Sequence, residues 1–368
     1  MSMLITLEKK EFMDAVSRVS RFAERRGSSL PSLAGILLVA GDDGIKLRAT
    51  NLETSIDFKV SGTIQKAGVV VLPATTLKDI TSSFSGTGII TIEHAGDTVL
   101  ISSPAGRSTL KTLPYEDFPT LPFPDAPQAT IPLSGTVIKN LISSVASCAS
   151  PSSVRPELGS VMISAVGGVL TAVATDSFRL AEKKVIVPET VAPFSILIPA
   201  KNALDIIQTI PDEAITVLVD EHQCAFSWPL GIVTTRLVTI AYPDYTQIIP
   251  KTFVSEAQVL RKDFEAGARR TAIFSDSFQK IKVQFIKEEK NIAFSARNSD
   301  IGESSESIPA AITGDSIELS FNYRYLAAPL SLITSETITL SAAGIGRPMI
   351  MKGLGDTSFL YLVMPMNQ

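Results

Sequence analysis

The sequence repeats one plan of predicted secondary structure three times, and this repetition limits the possible folds more than any other feature. The 368 residues divide into thirds of roughly 123 residues each. Near the beginning of each third, apolar side chains recur at spacings of three and four, which predicts an amphipathic helix. The apolar stripes are Phe12, Val16, Val19 and Ala23; Val137, Leu141, Val145 and Cys148; and, more weakly, Leu260, Phe264, Ala268 and Thr271.

Three further markers recur at matching positions in the three thirds. Alternating strand residues run into Asn or Asp, side chains that favour turns, within residues 47–53, 172–178 and 294–300. Each third then has a second predicted helix and closes in a Pro-containing segment, at residues 113–119, 241–245 and 363–366. The second helix of the last third contains Pro329, which is expected to kink or shorten it.

These elements predict an α+β fold of three similar domains, with boundaries at 1–123, 124–250 and 251–368. Two helices in a domain of many strands are expected to cover one face of antiparallel sheets. Three such domains in series form a curved strip, with helices on one side and sheets on the other. A head-to-tail contact between two strips closes into a ring if the angle fits.

The last ten residues, Phe359–Gln368, are apolar on both faces of a predicted strand. Such a strand is typically buried on two sides or lies beside a groove. Pro365 cannot donate a backbone hydrogen bond, so that end is expected at a sheet edge or just beyond it. The terminal Met364-Pro-Met366 provides adaptable apolar surface of the kind that suits several partners.

Basic side chains follow the polar faces of several predicted helices. Arg18, Arg21 and Arg25 continue at spacings of three and four opposite the first apolar stripe. Long cations without a base-reading motif are expected to contact phosphates of double-stranded DNA independently of sequence. The alternative is a solvated helix face, and the second third shows little basic charge on its first helix. The candidate DNA-binding residues are Arg18, Arg21, Arg25, Arg26, Lys78, Lys201, Arg269 and Arg270.

Composition and charge limit the cellular location and the mode of DNA binding that are expected. No apolar run reaches the roughly 18 residues needed for a membrane helix, and the N-terminus lacks the features of a signal peptide. Two cysteines, Cys148 and Cys224, favour a reducing cytoplasm over a disulfide framework. The net charge of −4 means that DNA binding must come from local clusters of cations.

Neither a catalytic site nor a cofactor or metal site is predicted. The sequence has no glycine-rich phosphate loop and no Cys or His cluster with metal-ligand spacing. His94 and His222 are expected on the surface. Two alternatives stay open at this point: a carboxylate-dependent hydrolase using Asp176 or Asp244, and a purely structural repeat protein.

Several motifs in the right order resemble those of the bacterial β sliding clamp family, the processivity subunits of replicative DNA polymerase. They are residues 113–119, Ala174–Ala181, Tyr242–Tyr245, Phe321–Tyr325 and Val363–Met366. The resemblance implies three clamp domains per chain and a head-to-tail homodimer that encircles DNA, with helices lining the hole. It also implies that the chain is not an enzyme, and that its partners are the replicative polymerase, a clamp loader and repair polymerases.

The resemblance further implies a groove between the second and third domains for a short peptide motif with Gln and large apolar residues. Matched position by position, its lining is Leu158, Thr175, Arg179, Leu180, Pro243, Ile248, Phe278, Asn322, Tyr325, Leu362, Val363, Met364, Pro365 and Met366. This chain has Ser177-Phe178 where the family often has Gly-His, and Asn367-Gln368 where Arg-Leu is common. The preferred peptide therefore stays open.

Overall fold

A computed structural model of the chain describes residues 2–24, 30–84, 87–104, 106–124, 126–188 and 190–366. Two compact units are present, each assembled from two stretches of chain: Met1–Lys139 with Lys201–Leu237, and Asn140–Ala200 with Val238–Gln368. The candidate cations Arg25 and Arg26 lie outside the described residues, as do Asn367 and Gln368.

The described residues form the repeated plan of strands and helices expected from the sequence. The first third contains β1 (Met3–Glu8), α1 (Lys9–Val19), β2 (Gly35–Gly41), β3 (Gly44–Thr50), β4 (Thr54–Val60), β5 (Gly62–Lys66), β6 (Gly68–Pro73), α2 (Ala74–Ser83), β7 (Ile89–Ala95), β8 (Thr98–Ser103) and β9 (Gly106–Lys111). The second contains β10 (Ala129–Ser134), α3 (Gly135–Ala146), β11 (Ser160–Val166), β12 (Val169–Thr175), β13 (Arg179–Ile186), β14 (Phe194–Pro199), α4 (Ala200–Ile207), β15 (Ala214–Val219), β16 (Gln223–Trp228) and β17 (Gly231–Arg236). The last contains β18 (Ser255–Leu260), α5 (Arg261–Ala272), β19 (Lys280–Ile286), β20 (Asn291–Asn298), β21 (Gly302–Pro309), β22 (Ala311–Gly314), β23 (Ile317–Asn322), α6 (Tyr323–Ala327), β24 (Thr337–Ala342), β25 (Met349–Gly353) and β26 (Phe359–Val363).

The first unit contains two antiparallel sheets. The strand order is β5-β1-β7-β8-β9 in the five-stranded sheet and β10-β15-β16-β17-β4-β3-β2-β6 in the eight-stranded sheet. Helix α1 packs against α2 and against β1, β3 and β4. Phe12, Val16 and Val19 are fully buried at this contact, as the apolar stripe predicts. The helix-on-sheet arrangement of the α+β prediction is confirmed.

The eight-stranded sheet is shared by the first and second thirds of the chain. Strands β4 and β17 pair antiparallel, from Phe58 opposite Gly231 to Thr54 opposite Thr235. Interstrand backbone hydrogen bonds therefore run without a break from one third into the next. This joint leaves neither strand as an unpaired edge, where other chains would be able to add.

The second unit repeats the same kind of joint in a nine-stranded sheet of order β14-β11-β12-β13-β26-β25-β24-β18-β22. Strands β13 and β26 pair antiparallel, from Arg179 opposite Val363 to Lys183 opposite Phe359. All five residues of β26 are buried, which confirms the C-terminal strand predicted to be covered on both faces. A separate four-stranded sheet has the order β21-β20-β19-β23.

Each joint begins at a turn built from an Asn or Asp side chain. Asn51 Oδ1 accepts hydrogen bonds from the backbone N–H groups of residues 53 and 54, at 3.0 and 2.7 Å. Asp176 Oδ1 accepts from those of residues 178 and 179, both at 3.0 Å. The residue after each carries a positive φ, 71° at Leu52 and 76° at Ser177. The structure thus confirms that these side chains make turns.

Three local predictions are corrected by the structure. Helix α1 ends at Val19, so Arg21 lies in the turn beyond it. Leu260 is the last residue of β18 and is 53% exposed, so it is not part of the third apolar stripe. His94 is buried on β7, with its Nε2 3.1 Å from the carbonyl oxygen of Gly96, because the strand directs it away from solvent. The prediction for Pro329 is confirmed: α6 ends at Ala327 and a 3-10 turn follows.

We expect Gly135→Ala to destabilise the first unit by about 2 kcal/mol through overpacking. A Cβ atom at Gly135 would overlap the backbone carbonyl oxygen of Pro211, which cannot move as a flexible side chain can. Thermal unfolding measures the change. Gly41→Ala is the matched control, because nothing lies within 4 Å of the added Cβ atom. Equal melting temperatures for the two variants would contradict the prediction.

Candidate functional site

The C-terminal residues leave the sheet beside the turn that begins β13. The backbone N–H of Met364 donates to the carbonyl oxygen of Phe178 at 2.8 Å, one step past the end of β26. Two residues later, the N–H of Met366 donates to the carbonyl oxygen of Ser320 at 2.7 Å. These bonds hold the tail along the edge of β23 and fix where its side chains emerge.

A buried apolar cluster lies beneath this tail. Its members are Met162, Val173, Leu180, Leu197, Ile350, Leu360 and Leu362, and Val238, Tyr242, Tyr245, Ile249, Phe253 and Met364 pack against it. Met364 therefore belongs partly to the core, which orders the side chain while leaving some of it accessible. The other five packing residues all come from the segment 238–253.

Arg179 joins the turn, the first helix of the second third and α6. Its Nε donates to Asp176 Oδ2 at 3.0 Å and its terminal nitrogen donates to the carbonyl oxygen of Ser147 at 2.7 Å. The guanidinium carbon lies 4.6 Å from the centre of the Tyr325 ring, a cation–π distance. The hydroxyl of Tyr361 donates to the carbonyl oxygen of Tyr325 at 2.8 Å. Arg179 thus holds the Tyr325 ring in place, and we call this contact the brace.

Cys148 lies close to this brace but is not a reactive group. Burial raises the pKa of its thiol to about 12, because the low-dielectric surroundings disfavour a thiolate. Neither Cys148 nor Cys224 takes part in a disulfide, and both are buried.

The segment 238–250 is anchored to the sheet by a buried carboxylate. The hydroxyl of Tyr245 donates to Glu182 Oε2 at 2.7 Å, and Lys184 Nζ lies 2.8 Å from Glu182 Oε1. Burial, together with the hydrogen bond to Glu182, raises the pKa of the Tyr245 phenol. The interaction orders the segment that carries Pro243 and Ile248.

A pocket of about 720 Å³ opens where the tail meets the turn. It is lined by Ser177, Phe178, Ser277, Phe278, Gln279, Asn322, Arg324, Tyr325, Met364, Pro365 and Met366. Phe178 is 60% exposed and Phe278 is 69% exposed, so two large aromatic rings stand at its rim. The pocket is of the size that small ligands and peptide side chains fill.

Asn322 builds the pocket wall with both ends of its amide. Its Nδ2 donates to the carbonyl oxygen of Phe278 at 3.0 Å, and its Oδ1 accepts from the backbone N–H of Arg324 at 2.9 Å. The second bond caps the N-terminus of α6. Asn322 and Arg179 are therefore occupied within the protein and position the aromatic groups around the opening.

The predicted groove residues divide into three groups. Those that line the pocket are Phe278, Asn322, Tyr325, Met364, Pro365 and Met366. Those that are buried in the sheet or beneath it are Leu158, Thr175, Leu180, Leu362 and Val363. Arg179 is half-buried as the brace, whereas Pro243 and Ile248 are exposed on the segment 238–250 and do not line the pocket.

Several pocket residues were not among the predicted lining. They are Ser177, Phe178, Ser277, Gln279 and Arg324. Phe178 had a signal in the sequence, since it directly follows the turn-forming Asp176-Ser177 pair and is a large apolar residue at a place that turns expose. Gln279 has a positive φ of 60°, which no local pattern indicates.

The two carboxylates proposed for catalysis each make a turn. Asp244 accepts from the N–H of Thr246 at 3.2 Å and from its hydroxyl at 2.6 Å, which caps a short 3-10 helix. Hydrogen bonds from Thr246 and Gln247 lower the pKa of Asp244. Asp176 is used by the turn and by Arg179. Both groups therefore have structural roles, and the hydrolase alternative is not supported.

The candidate cations differ in how they are bound. Arg18 donates to the carbonyl oxygen of Thr209 at 2.6 Å, and Arg21 donates to Gln208 Oε1, so both lie beside the residues that follow α4. Arg270 is bound by Glu306, with Nε 3.0 Å and its terminal nitrogen 2.7 Å from Oε2. Three further candidates, Lys78, Lys201 and Arg269, are exposed on their helices.

Among the residues that the structure describes, no group of three or more His, Cys, Asp or Glu side chains is arranged to hold a metal ion. No helix of the described chain is both long enough and apolar enough to cross a membrane.

Comparison with known proteins identifies the family. Models for the N-terminal, central and C-terminal domains of the DNA polymerase III beta subunit match residues 3–122, 132–244 and 246–367. The beta sliding clamp of Synechococcus elongatus is 28% identical over 376 residues, which cover 99% of each chain. The DNA polymerase sliding clamp of Bacillus subtilis is 26% identical, with a TM-score of 0.93 over 100% of both chains.

A sliding clamp from Pseudomonas aeruginosa, solved bound to griselimycin, is 23% identical and has the same fold, with a TM-score of 0.93 over 100% of both chains. The beta subunit is a processivity factor and has no catalytic role of its own. The three domain models match in order along almost the whole sequence, and the chain therefore belongs to the DNA polymerase III beta subunit family, the beta sliding clamps.

Proposed function

We propose that two copies of the chain close head to tail into a ring around double-stranded DNA and tether the replicative polymerase to it. The pocket beside the C-terminal tail carries this proposal, because its rim of exposed aromatic side chains suits a short peptide motif. A clamp loader and repair polymerases would use the same pocket in turn. We also assign the domain boundaries 1–123, 124–250 and 251–368, and a cytoplasmic location.

The two joints within the chain suggest how two copies meet. Each joint pairs the strand after a turn in one domain, β4 or β13, with the closing strand of the next domain, β17 or β26. Among the described strands, the same rule leaves two with a partner on one side only: β21, which follows the turn of the third domain and pairs with β20, and β9, which closes the first and pairs with β8. Both are edge strands, so we infer that β21 of one copy pairs with β9 of the other.

Charge favours this pairing over pairing of like strands. Strand β9 exposes Arg107 and Lys111, whereas β21 exposes Glu303 on one face and carries Glu306, which pairs with Arg270, on the other. Opposite charges on facing strands attract, and like charges on a self-paired edge repel. A head-to-tail contact is the only one of the three edge pairings that brings opposite charges together.

Reversing the charges on one strand should weaken the dimer. We expect Arg107→Glu with Lys111→Glu, or Glu303→Lys with Glu306→Lys, to weaken dimerisation about tenfold or more, because the two edge strands then carry charges of one sign. All four substitutions together should restore it. Sedimentation equilibrium distinguishes a chain of 39.3 kDa from a dimer of twice that mass. Failure of the combined variant to recover would exclude this pair of strands.

We propose that phosphates are contacted by the exposed cations on the helices, chiefly Lys78, Lys201 and Arg269. Arg18, Arg21 and Arg270 would contribute while keeping their contacts within the chain, and Arg25 and Arg26 belong to the same proposal. Contacts of this kind are weak and independent of base sequence, which permits sliding. Retention would then depend on closure of the ring.

Retention on a circular plasmid tests this function directly. With a clamp loader and ATP, the protein should remain on closed circles during gel filtration and be released when the circle is linearised. Lys78→Glu, Lys201→Glu and Arg269→Glu together should lower retention about tenfold, by repelling phosphates. The control replaces Lys66, Lys251 and Lys287, exposed residues away from these helices, with Glu for the same change in net charge. Equal losses in both variants would reject the assignment.

Deleting residues 364–368 should abolish peptide binding while the dimer persists. The deletion removes one wall of the pocket, but β26 ends at Val363 and stays intact. A fluorescent peptide with Gln and two large apolar residues should bind the full chain with a Kd in the micromolar range, roughly −8 kcal/mol. Fluorescence anisotropy measures it, and Phe278→Ala should weaken binding in the same direction. Equal affinity for both lengths would refute the site, and loss of the dimer would make the tail structural.

A further inference from the structure

A second apolar cleft lies in the first unit, against helix α1. Its volume is about 420 Å³. One wall is the face of α1 that carries Glu11, Asp14, Ala15 and Arg18. The floor is the end of β4 together with the turn that joins β16 to β17. It is lined wholly by residues of the first unit, so it shares no residue with the C-terminal pocket.

The floor of the cleft is rigid and aromatic. Trp228 and Phe58 pack with ring centroids 6.2 Å apart and planes inclined by 53°. Gly231 makes room for them, because a Cβ atom there would lie 2.8 Å from Trp228 Cζ2 and 3.1 Å from Phe58 Cδ2. The N–H of Lys59 donates to the carbonyl oxygen of Leu230 at 2.7 Å and fixes the turn. A cleft formed in this way needs little reorganisation to accept a ligand.

The cleft is not a repeat of the C-terminal pocket. That pocket lies where β13 begins and β26 ends, whereas the cleft lies where β4 ends and β17 begins. Since β4 corresponds to β13 and β17 to β26, the two openings lie at opposite ends of equivalent joints. The cleft is therefore not the copy of the C-terminal pocket that the internal repeat would place in the first unit.

The rim of the cleft carries unneutralised carboxylates. Asp14 and Glu213 are exposed and, within the described part of the chain, accept no hydrogen bond and form no ion pair through their side chains. Glu11 adds a third carboxylate, which accepts from the N–H of Ser61 at 3.1 Å. Of the two cations, Arg18 is held by the carbonyl oxygen of Thr209.

The second cation is Lys59, so the opening is lined by three carboxylates and two cations. Carboxylates thus outnumber cations at the opening, and the two unpaired ones favour a positively charged ligand. The apolar floor also includes Leu230, whose side chain is half-exposed. Such a floor suits an aliphatic group of matching size. The negative charge of the rim and the apolar floor together favour a ligand that carries both a cation and an aliphatic group.

We propose that this cleft is a second docking site, for a short segment of a partner protein that carries aliphatic residues beside Arg or Lys. The aliphatic side chain covers Trp228 and Leu230, and the neighbouring cation lies between Asp14 and Glu213. Such a site would hold a partner independently of the peptide bound in the C-terminal pocket. One chain would then bind two segments of different charge.

Emission from Trp228 tests the proposal, because it is the only tryptophan in the chain. The probe is the peptide acetyl-Arg-Leu-Leu-Arg-amide, and the control is acetyl-Glu-Leu-Leu-Glu-amide, with the full chain at low salt. We expect a saturable change with the basic peptide and none with the acidic one. Asp14→Asn with Glu213→Gln should weaken binding about fivefold, since each exposed ion pair contributes modestly.

Two further variants separate the cleft from the other pocket. Leu230→Ser should weaken binding of the basic peptide, with circular dichroism confirming that the protein is folded, and Phe278→Ala should leave it unchanged. The proposal is overturned if the emission shows no saturable change up to about 1 mM peptide. Equal binding of both peptides would also overturn it, as would loss of binding in Phe278→Ala alone.

Discussion

Backbone pairing between strands of successive domains is the interaction on which the rest of this structure depends. Strands β4 and β17, and then β13 and β26, continue one sheet from each domain into the next. Each joint satisfies hydrogen-bonding groups that would otherwise form an exposed edge. The same scheme leaves β9 and β21 as sheet edges. A single chain therefore keeps unpaired backbone hydrogen-bonding groups along these two strands, as the terminal repeats of a repeat protein do.

The joint also creates the pocket beside the C-terminal tail. Because β26 pairs antiparallel with β13, with Val363 opposite Arg179, it ends where β13 begins, and the tail then meets the turn at Asp176. Arg179 donates hydrogen bonds to that turn and to Ser147, which follows α3. Asn322 makes hydrogen bonds with α6 and with the loop before β19. The polar residues thus order the site, and the surface left for a ligand is mainly aromatic and sulfur-containing.

The sequence predicted the repeated plan well because its signals are local and occur three times. The stripe at Phe12, Val16 and Val19 and the buried β26 both follow from simple periodicity. Helix ends were less predictable: the spacing that includes Arg21 continues past the residue where α1 stops. Periodicity measures which face is apolar, whereas the end of a helix depends on caps and on contacts distant in sequence.

The pocket residues were predicted only in part, for a reason that lies in the sheet. Leu180 and Leu362 were predicted to line the groove because they match groove positions of the family, but residues of the segment 238–253 pack against the buried cluster that contains them. Phe178 and Phe278 are exposed because turns hold them outside the sheet. Exposed aromatic rings of this kind lose contact with water only when a partner covers them, so their position on ordered turns favours binding without a large conformational change. A pocket of this size buries few side chains, which keeps affinity moderate and allows one partner to replace another.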